Sequence, residues 1–361
     1  MMPPFEIAVV GGGPIGLAVA IRTTELGLRT LVIDKRIAPI DKACGEGLMP
    51  AGVAHLQALG VIARLSRDEC SPITGIRYTQ EDGTIIDGRL PAPGGLGVRR
   101  LALSQALTDR AREAGVTFLH DEVIDCVRSA DGMQLTLRES SVLARFVVAA
   151  DGLHSPMRKR LGLDGEPRAT RRFGLRRHYR VAPWSSLVEV HFAQGVEAYI
   201  TPAGSERIGL AFLFEASQSH TDFDTLLARF PILQERLSGL PFDSEPRGLG
   251  PLHQTATRVV GDGCALVGDA AGYVDAITGE GITLGLDTAD ALARALPSLL
   301  AGHSTLAAYE RFYARAFKRY AFSASGVLAL AQRPRLRRVA LRLLARIPGL
   351  FTLILRVLMS A

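Results

Sequence analysis

Residues that staple or metallate a fold are scarce in this 361-residue chain. Its four cysteines, Cys44, Cys70, Cys126 and Cys264, are scattered and have no metal-ligand spacing. They exclude a disulfide framework and indicate a reducing, cytoplasmic compartment. The eight histidines contain no H-x-x-x-H pair, so no metal centre is expected. Met1-Met2-Pro3-Pro4-Phe5-Glu6 lacks the basic segment of a secretory leader. Internal repeats and low-complexity tracts are missing too. Acidic residues are missing from Arg333 to Ala361, where seven arginines fall. The rest of the chain carries 35 basic and 36 acidic residues, so the net charge of +6 is a property of the tail. A general nucleic-acid surface is excluded on this ground, since no basic face with interleaved aromatics occurs elsewhere.

What is present is a globular, loop-rich composition, 47% hydrophobic with 37 glycines, in a chain long enough for two interleaved domains and a large core. The chemistry sits in separated stretches. Ile7 to Val10 reads as a strand, and helical spacing follows from Leu17 to Leu26. Between them Gly11, Gly12, Gly13, Pro14, Ile15 and Gly16 fill a G-x-G-x-x-G frame. Gly11 permits the tight turn, Gly13 lets a pyrophosphate approach the backbone, and Gly16 lets the helix pack close to the strand. The helix N-terminus then offers free N–H groups and a dipole that favours negative charge. A second apolar run, Thr30 to Ile33, ends in Asp34, followed by Lys35 and Arg36. An acid about 20 residues after the glycines is placed to take ribose hydroxyls.

Two later stretches complete the set: Ala149-Ala150-Asp151-Gly152-Leu153-His154-Ser155, and Val267-Gly268-Asp269-Ala270 followed by Thr278-Gly279-Glu280-Gly281-Ile282. In this order the segments resemble the FAD-dependent monooxygenases of the aromatic-hydroxylase fold and the related geranylgeranyl reductases. The matching segments run from Ile7 to about Ala291. The resemblance implies that Asp151, Gly152, Ser155 and Arg158 brace the cofactor site and help NAD(P)H engage, and that Gly268-Asp269 binds the ribityl chain. It implies that Gly279, Gly281 and Ile282 open a helix against the pyrimidine edge of the flavin, that Arg100 sits near the diphosphate or ribityl chain, and that the Val123 backbone meets the adenine. Asp34 is a small departure, because FAD sites more often carry Glu there. Cys44-Gly45-Glu46-Gly47 resembles the reductase branch, where such a run lies along the flavin. Cys44 is then either a polarizable neighbour of the flavin or a small packing residue, and no adjacent base makes it a nucleophile.

The fold expected is α/β: a Rossmann-like FAD-binding domain with an inserted antiparallel β-sheet substrate domain and a C-terminal helical tail. The FAD-binding parts are expected at 1–75, 98–165 and 258–330, the substrate parts at 76–97 and 166–257, and the tail at 331–361. Ile76 to Leu90 reads as a hairpin around Glu81-Asp82-Gly83. Phe173 to Phe214 reads as four strands broken at Ala182-Pro183, Gln194-Gly195 and Ala203-Gly204. His178, Tyr179, His191 and Tyr199 are the candidate polar groups of the substrate wall, although alternation does not fix which strand face looks inward. Arg171, Arg172, Arg176, Arg177 and Arg180 read as a strand face or as a contact for an acidic or NADPH phosphate group. The tail reads as two apolar-basic helices broken at Pro348-Gly349. Leu336, Val339, Leu343 and Leu344 are expected on one side, suited to an anionic membrane surface, to the catalytic domain or to a second subunit. Its second piece, Leu350 to Met359, is shorter than the ~20 residues a membrane span requires.

The activity placed first is an NAD(P)H-dependent flavin monooxygenase that hydroxylates or epoxidises a hydrophobic small molecule through a flavin C4a-hydroperoxide. The alternative is reduction of isoprenoid double bonds. A flavin halogenase is disfavoured, because that branch uses a motif with two tryptophans and this chain has only Trp184. A flavoprotein without catalysis is disfavoured by the intact site motifs.

Overall fold

A computed structural model describes residues 5–166, 172–215, 221–347 and 349–359. Met1 to Pro4, Arg171, Pro348 and Ala361 lie outside the described residues. The apolar run Phe5–Val10 is an inner strand, with Ile7 to Val10 buried on both faces. Thr30–Asp34 and Ser141–Ala149 flank it, both parallel. Thr117–His120 and Cys264–Leu266 extend the parallel set on the two sides. Val123–Ser129 and Gly132–Leu137 hang on Ser141–Ala149 as an antiparallel flap. Register decides what this sheet can do. Val10 lies opposite both Ile33 and Ala149, and Ala149 lies opposite Leu266. Gly11, Asp34, Ala150-Asp151 and Val267-Gly268 therefore leave adjacent strands at one level, at the carboxyl edge where such sheets bind ligands.

Helix α1 (Pro14–Glu25) begins with a proline, whose missing N–H is no loss at a first helical position. Helix α2 (Pro50–Ala58) follows the Cys44–Gly47 loop, and α3 (Arg100–Glu113) packs on α1. The short α4 (Pro156–Arg160) is capped by Ser155, whose Oγ accepts from the Arg158 N–H.

A second, seven-stranded sheet runs Arg247–Leu249, Arg172–Tyr179, Ile208–Glu215, Val196–Pro202, Leu187–Ala193, Gly75–Thr79 and Ile85–Arg89. Its pairs are antiparallel apart from Leu187–Ala193 with Gly75–Thr79. The expected hairpin and the expected four-strand segment both join this sheet. On one face lie α5 (Phe223–Leu227) and α6 (Pro231–Leu237), packed with Tyr179, Phe212 and Phe230. The other face, with Ile76, Val188, Val190 and Leu213, meets the C-terminal helices.

Those helices are α7 (Gly281–Leu300), α8 (Ala307–Ala331), α9 (Pro334–Arg346) and α10 (Leu350–Met359). The tail departs from its expected facing. Leu336, Val339 and Leu343 point to solvent, while Leu344 turns inward beside the buried Leu341. Arg337 is also buried: its Nε donates to Gln80 Oε1 at 2.8 Å and its guanidinium lies over the Phe192 ring. The spacing of the leucines fixed a stripe but not which of the two apolar stripes packs down. Among the described residues, no helix is long and apolar enough to cross a membrane.

Candidate active site

The four strand ends open on one elongated cavity of about 430 Å³. Gly11 has φ +113, and a Cβ there would stand 2.4 Å from the Ala150 carbonyl oxygen. At Gly16 a Cβ would stand 1.9 Å from the Gly11 oxygen. Both glycines are thus required by backbone contact. Gly13 has open space where its side chain would be; it caps α1 and lines the cavity with Pro14 and Ile15. The first turn of α1 carries no acid, so its N–H groups face the cavity uncompensated. The Gly12 N–H donates to Asp34 Oδ2 and the Arg36 N–H to Asp34 Oδ1, each at 2.8 Å. These bonds fix the carboxylate at the cavity wall with lone pairs to spare.

Asp269 and Gly268 line the cavity beside Asp151. Lys42 Nζ lies 2.9 Å from Asp269 Oδ2, a partner the sequence reading did not name although it opens the Cys44 run. Asp151 is spent locally: Oδ1 accepts from Ser155 Oγ at 2.5 Å and Oδ2 from the Met157 N–H at 2.9 Å. Arg158 is fully buried and ties this loop to the next. Its Nε donates to Asp164 at 2.7 Å, and Nη1 and Nη2 donate to the Ala270 carbonyl and to Gln254 Oε1, each at 3.0 Å. Gly279, Gly281 and Ile282, at the N-terminus of the 20-residue α7, complete this end.

The Cys44–Gly47 loop is held by a buried charge network that the motif alone did not reveal. Cys44 and Gly45 line the cavity, and Cys44 Sγ accepts from the Glu46 N–H at 3.4 Å. Glu46 has φ +60 and is 3% exposed. Its Oε1 accepts from the Arg100 N–H at 2.8 Å and its Oε2 lies 2.6 Å from His178 Nε2. Arg99 packs against the same imidazole, and Arg176 Nη1 meets His178 Nδ1 at 2.9 Å. The guanidiniums of Arg99 and Arg176 bring only donors to this ring, an arrangement that disfavours its protonated form. Burial and the two guanidiniums push the His178 pKa down. Burial works against the Glu46 carboxylate, but His178, Arg176 and the Arg100 N–H outweigh it and hold its pKa low.

Three of the four substrate candidates therefore stand off the cavity. His178 is in this network, Tyr179 packs behind the sheet on Phe223 and Phe242, and His191 is with Glu189. Only Tyr199 reaches the wall. The arginine cluster is divided in the same way. Arg172 pairs with Glu197 and Asp275, Arg176 with Asp41, Arg177 with Asp224, and Arg180 with Asp243. Lys35 turns outward to Glu122, and the Val123 side chain lies in the core rather than at the cavity.

Beyond the Cys44 loop the cavity becomes apolar. Ile76, Tyr78, Val188, Val190, Leu213, Val327, Leu355 and Leu358 line it, so the sheet and the C-terminal helices share the wall. Burial raises Tyr78 to about 12 and Tyr199 further, so both stay neutral. Glu280 also lines the cavity. Its Oε2 accepts from Ser323 Oγ at 3.2 Å, and burial pushes its acid up.

The polar end suits a dinucleotide on chemical grounds. Arg100 Nε is buried without a protein partner among the described residues, and Arg100 lines the cavity. A glycine cradle, a helix N-terminus and spare donors are what a flavin dinucleotide requires. The fold and this cradle define an FAD-dependent oxidoreductase. The chain belongs to the FAD binding domain family, which it matches over residues 5–320. Menaquinone reductase of Mycobacterium tuberculosis is 30% identical over 330 residues, covering 82% of this chain and 79% of that protein. Digeranylgeranylglycerophospholipid reductase 2 of Methanopyrus kandleri is 25% identical over 303 residues, 77% of this chain and 73% of that one. 6-Methylpretetramide 4-monooxygenase of Streptomyces rimosus is 32% identical over 182 residues, 44% of this chain and 41% of that one. The crystal structure of a flavoprotein/dehydrogenase from Cytophaga hutchinsonii shares the fold, with a TM-score of 0.86 at 19% identity over 98% of this chain and 92% of that one.

Proposed function

We propose that the protein reduces carbon–carbon double bonds of an isoprenoid lipid. The observation that carries this reading is the apolar branch of the cavity, which continues from the Cys44–Gly47 loop between the second sheet and helices α8 and α10. It offers a polyene a long greasy wall and few polar anchors. The menaquinone reductase and the digeranylgeranylglycerophospholipid reductase, which each match over three quarters of the chain, favour this reading over the oxygenase placed first from sequence.

When bound, FAD supplies the hydride equivalent, replenished by NADH or NADPH. Gly13 and the α1 N-terminus would hold its diphosphate, Asp34 its ribose, Asp269 with Lys42 its ribityl chain, and Gly279 to Ile282 its pyrimidine edge. The α7 dipole favours the negative charge that this edge gains on reduction. The chain itself contributes the proton. Glu280 is the acid we assign to this step: it lines the cavity, its Oε2 lies 3.2 Å from Ser323 Oγ, and burial raises its pKa. Glu280 would give its proton to one alkene carbon and regain one from solvent; with the hydride equivalent that bound flavin would supply to the other carbon, the bond would gain two hydrogens.

Oxygenation of an electron-rich ring is the second reading, favoured by the partial match to the Streptomyces monooxygenase. Incubating holoenzyme with NADPH and menaquinone, without oxygen and then under oxygen-18 gas, separates them. Two added hydrogens per double bond under both atmospheres support the reductase. A product that forms only with oxygen and carries the label refutes it in favour of the oxygenase.

A further inference from the structure

We propose that the outer face of α9 and α10 docks on an anionic lipid surface, and that α10 is the wall through which an apolar substrate passes into the cavity. The docking half stands by itself; the delivery half rests on the lipid-substrate reading above. Helix α9 presents Leu336, Val339 and Leu343 at 51%, 57% and 53% exposure, and α10 presents Leu353 and Val357 at 56% and 63%. Spacings of three and four residues put each set on one stripe of its helix. Solvent-facing leucines and valines in such stripes are a surface waiting for apolar cover.

The charge beside them selects the cover. Arg335, Arg346 and Arg356 are exposed along the same two helices, Arg342 pairs with Asp82 at 2.8 Å, and residues 333–361 contain no acid. A face of apolar stripes flanked by arginines complements acyl chains beneath anionic headgroups. A protein partner of the same complementarity would have to be both greasy and acidic.

The opposite side of α10 reaches the site. Leu355 and Leu358 line the apolar branch of the cavity. Phe351 and Leu355 press onto Gly88, where a Cβ would stand 2.5 Å from Leu355 Cδ1 and 2.7 Å from Phe351 Cδ1. The Arg89 N–H donates to Thr352 Oγ1 at 3.1 Å. A single helix thus separates the exposed stripe from the substrate space, and a lipid buried under α10 has a one-helix path to the flavin end.

Flotation of the holoenzyme on vesicles tests docking without reference to any reaction. The protein is expected to float with vesicles of phosphatidylcholine and phosphatidylglycerol and to remain behind with phosphatidylcholine alone. The double substitution Leu353→Asp and Val357→Asp, at outward positions, is expected to weaken flotation by about tenfold or more, as fits the loss of two buried aliphatic side chains. No flotation on anionic vesicles, or flotation unaffected by the double substitution, overturns the proposal. For delivery, menaquinone dissolved in the same vesicles is compared with menaquinone dispersed in detergent micelles. The variant is expected to lose hydrogenation of vesicle-borne menaquinone while hydrogenating micelle-borne menaquinone at the unsubstituted rate. Equal hydrogenation by both proteins refutes delivery through α10. If wild-type protein floats but leaves menaquinone unchanged, the proposed reaction fails and the docking surface stands.

Discussion

Replacing Glu46 by glycine separates two opposed energies at one position. Glu46 occupies a left-handed backbone conformation, φ +60, that costs a side-chain-bearing residue about 1–2 kcal/mol. Glycine relieves that cost. The same substitution deletes the one carboxylate that faces Arg99 at 3.8 Å, His178 at 2.6 Å and the Arg100 N–H at 2.8 Å. Removing one member of a buried, hydrogen-bonded charge set costs about 3–5 kcal/mol, because the remaining charges stay desolvated. The second effect wins, leaving a net loss of about 1–4 kcal/mol. Urea unfolding of the apoprotein, followed by far-UV circular dichroism, reads this as a lower midpoint with unchanged slope. Flavin absorbance after gel filtration reads the second consequence, weaker retention of FAD, since Cys44, Gly45 and Gly47 line the cavity on either side of the lost anchor. Glu46→Gly as stable as the parent, or more so, would show that the network does not hold this loop.

Gly11→Ala is expected to yield a colourless protein, because its Cβ would lie 2.4 Å from the Ala150 oxygen and would push the turn off the adjoining strand; full FAD content by absorbance refutes the cradle. Glu280→Gln should slow double-bond reduction about 100-fold or more while NADPH still bleaches the flavin at the parental rate, the signature of a lost general acid; an equal fall in both rates would assign Glu280 to cofactor binding. The His178 contribution to stability should be flat above the ordinary histidine value of 6.5 and fall below it. The unfolded chain then takes up a proton that the buried His178 ring, with its depressed pKa, refuses. The low pKa of Glu46 adds a loss of the same sign below 4.5. Urea midpoints at about pH 8 and about pH 5.5 measure the effect, and His178→Gln should flatten the difference. A pH dependence that His178→Gln leaves unchanged contradicts this arrangement.

The polar end of the site was legible in the sequence because its requirements are local. Gly11 and Gly16 are imposed by backbone atoms, and each motif terminates its own strand. They converge because Val10, Ile33, Ala149 and Leu266 share one level of register, a relation that parallel order alone makes natural. The apolar end was not legible for the converse reason. Period-two alternation assigns Tyr179 and Tyr199 to strand faces without saying which face a helix covers, and α5 and α6 claim the first while the cavity claims the second. The Glu46–His178 contact joins residues 132 positions apart, so neither motif nor periodicity could pair them. The same holds for the tail. Its composition announced a basic amphipathic pair of helices, but the stripe that packs down was decided elsewhere, by Gly88 giving room to Phe351 and Leu355 and by Gln80 receiving Arg337. Neither Gly88, on the outer strand, nor Gln80, in the turn before it, carries a signature of its own. Gly88 reads as a weak point in a strand and Gln80 as a turn residue, yet together they set which side of the tail helices closes the cavity and which side is left for another surface.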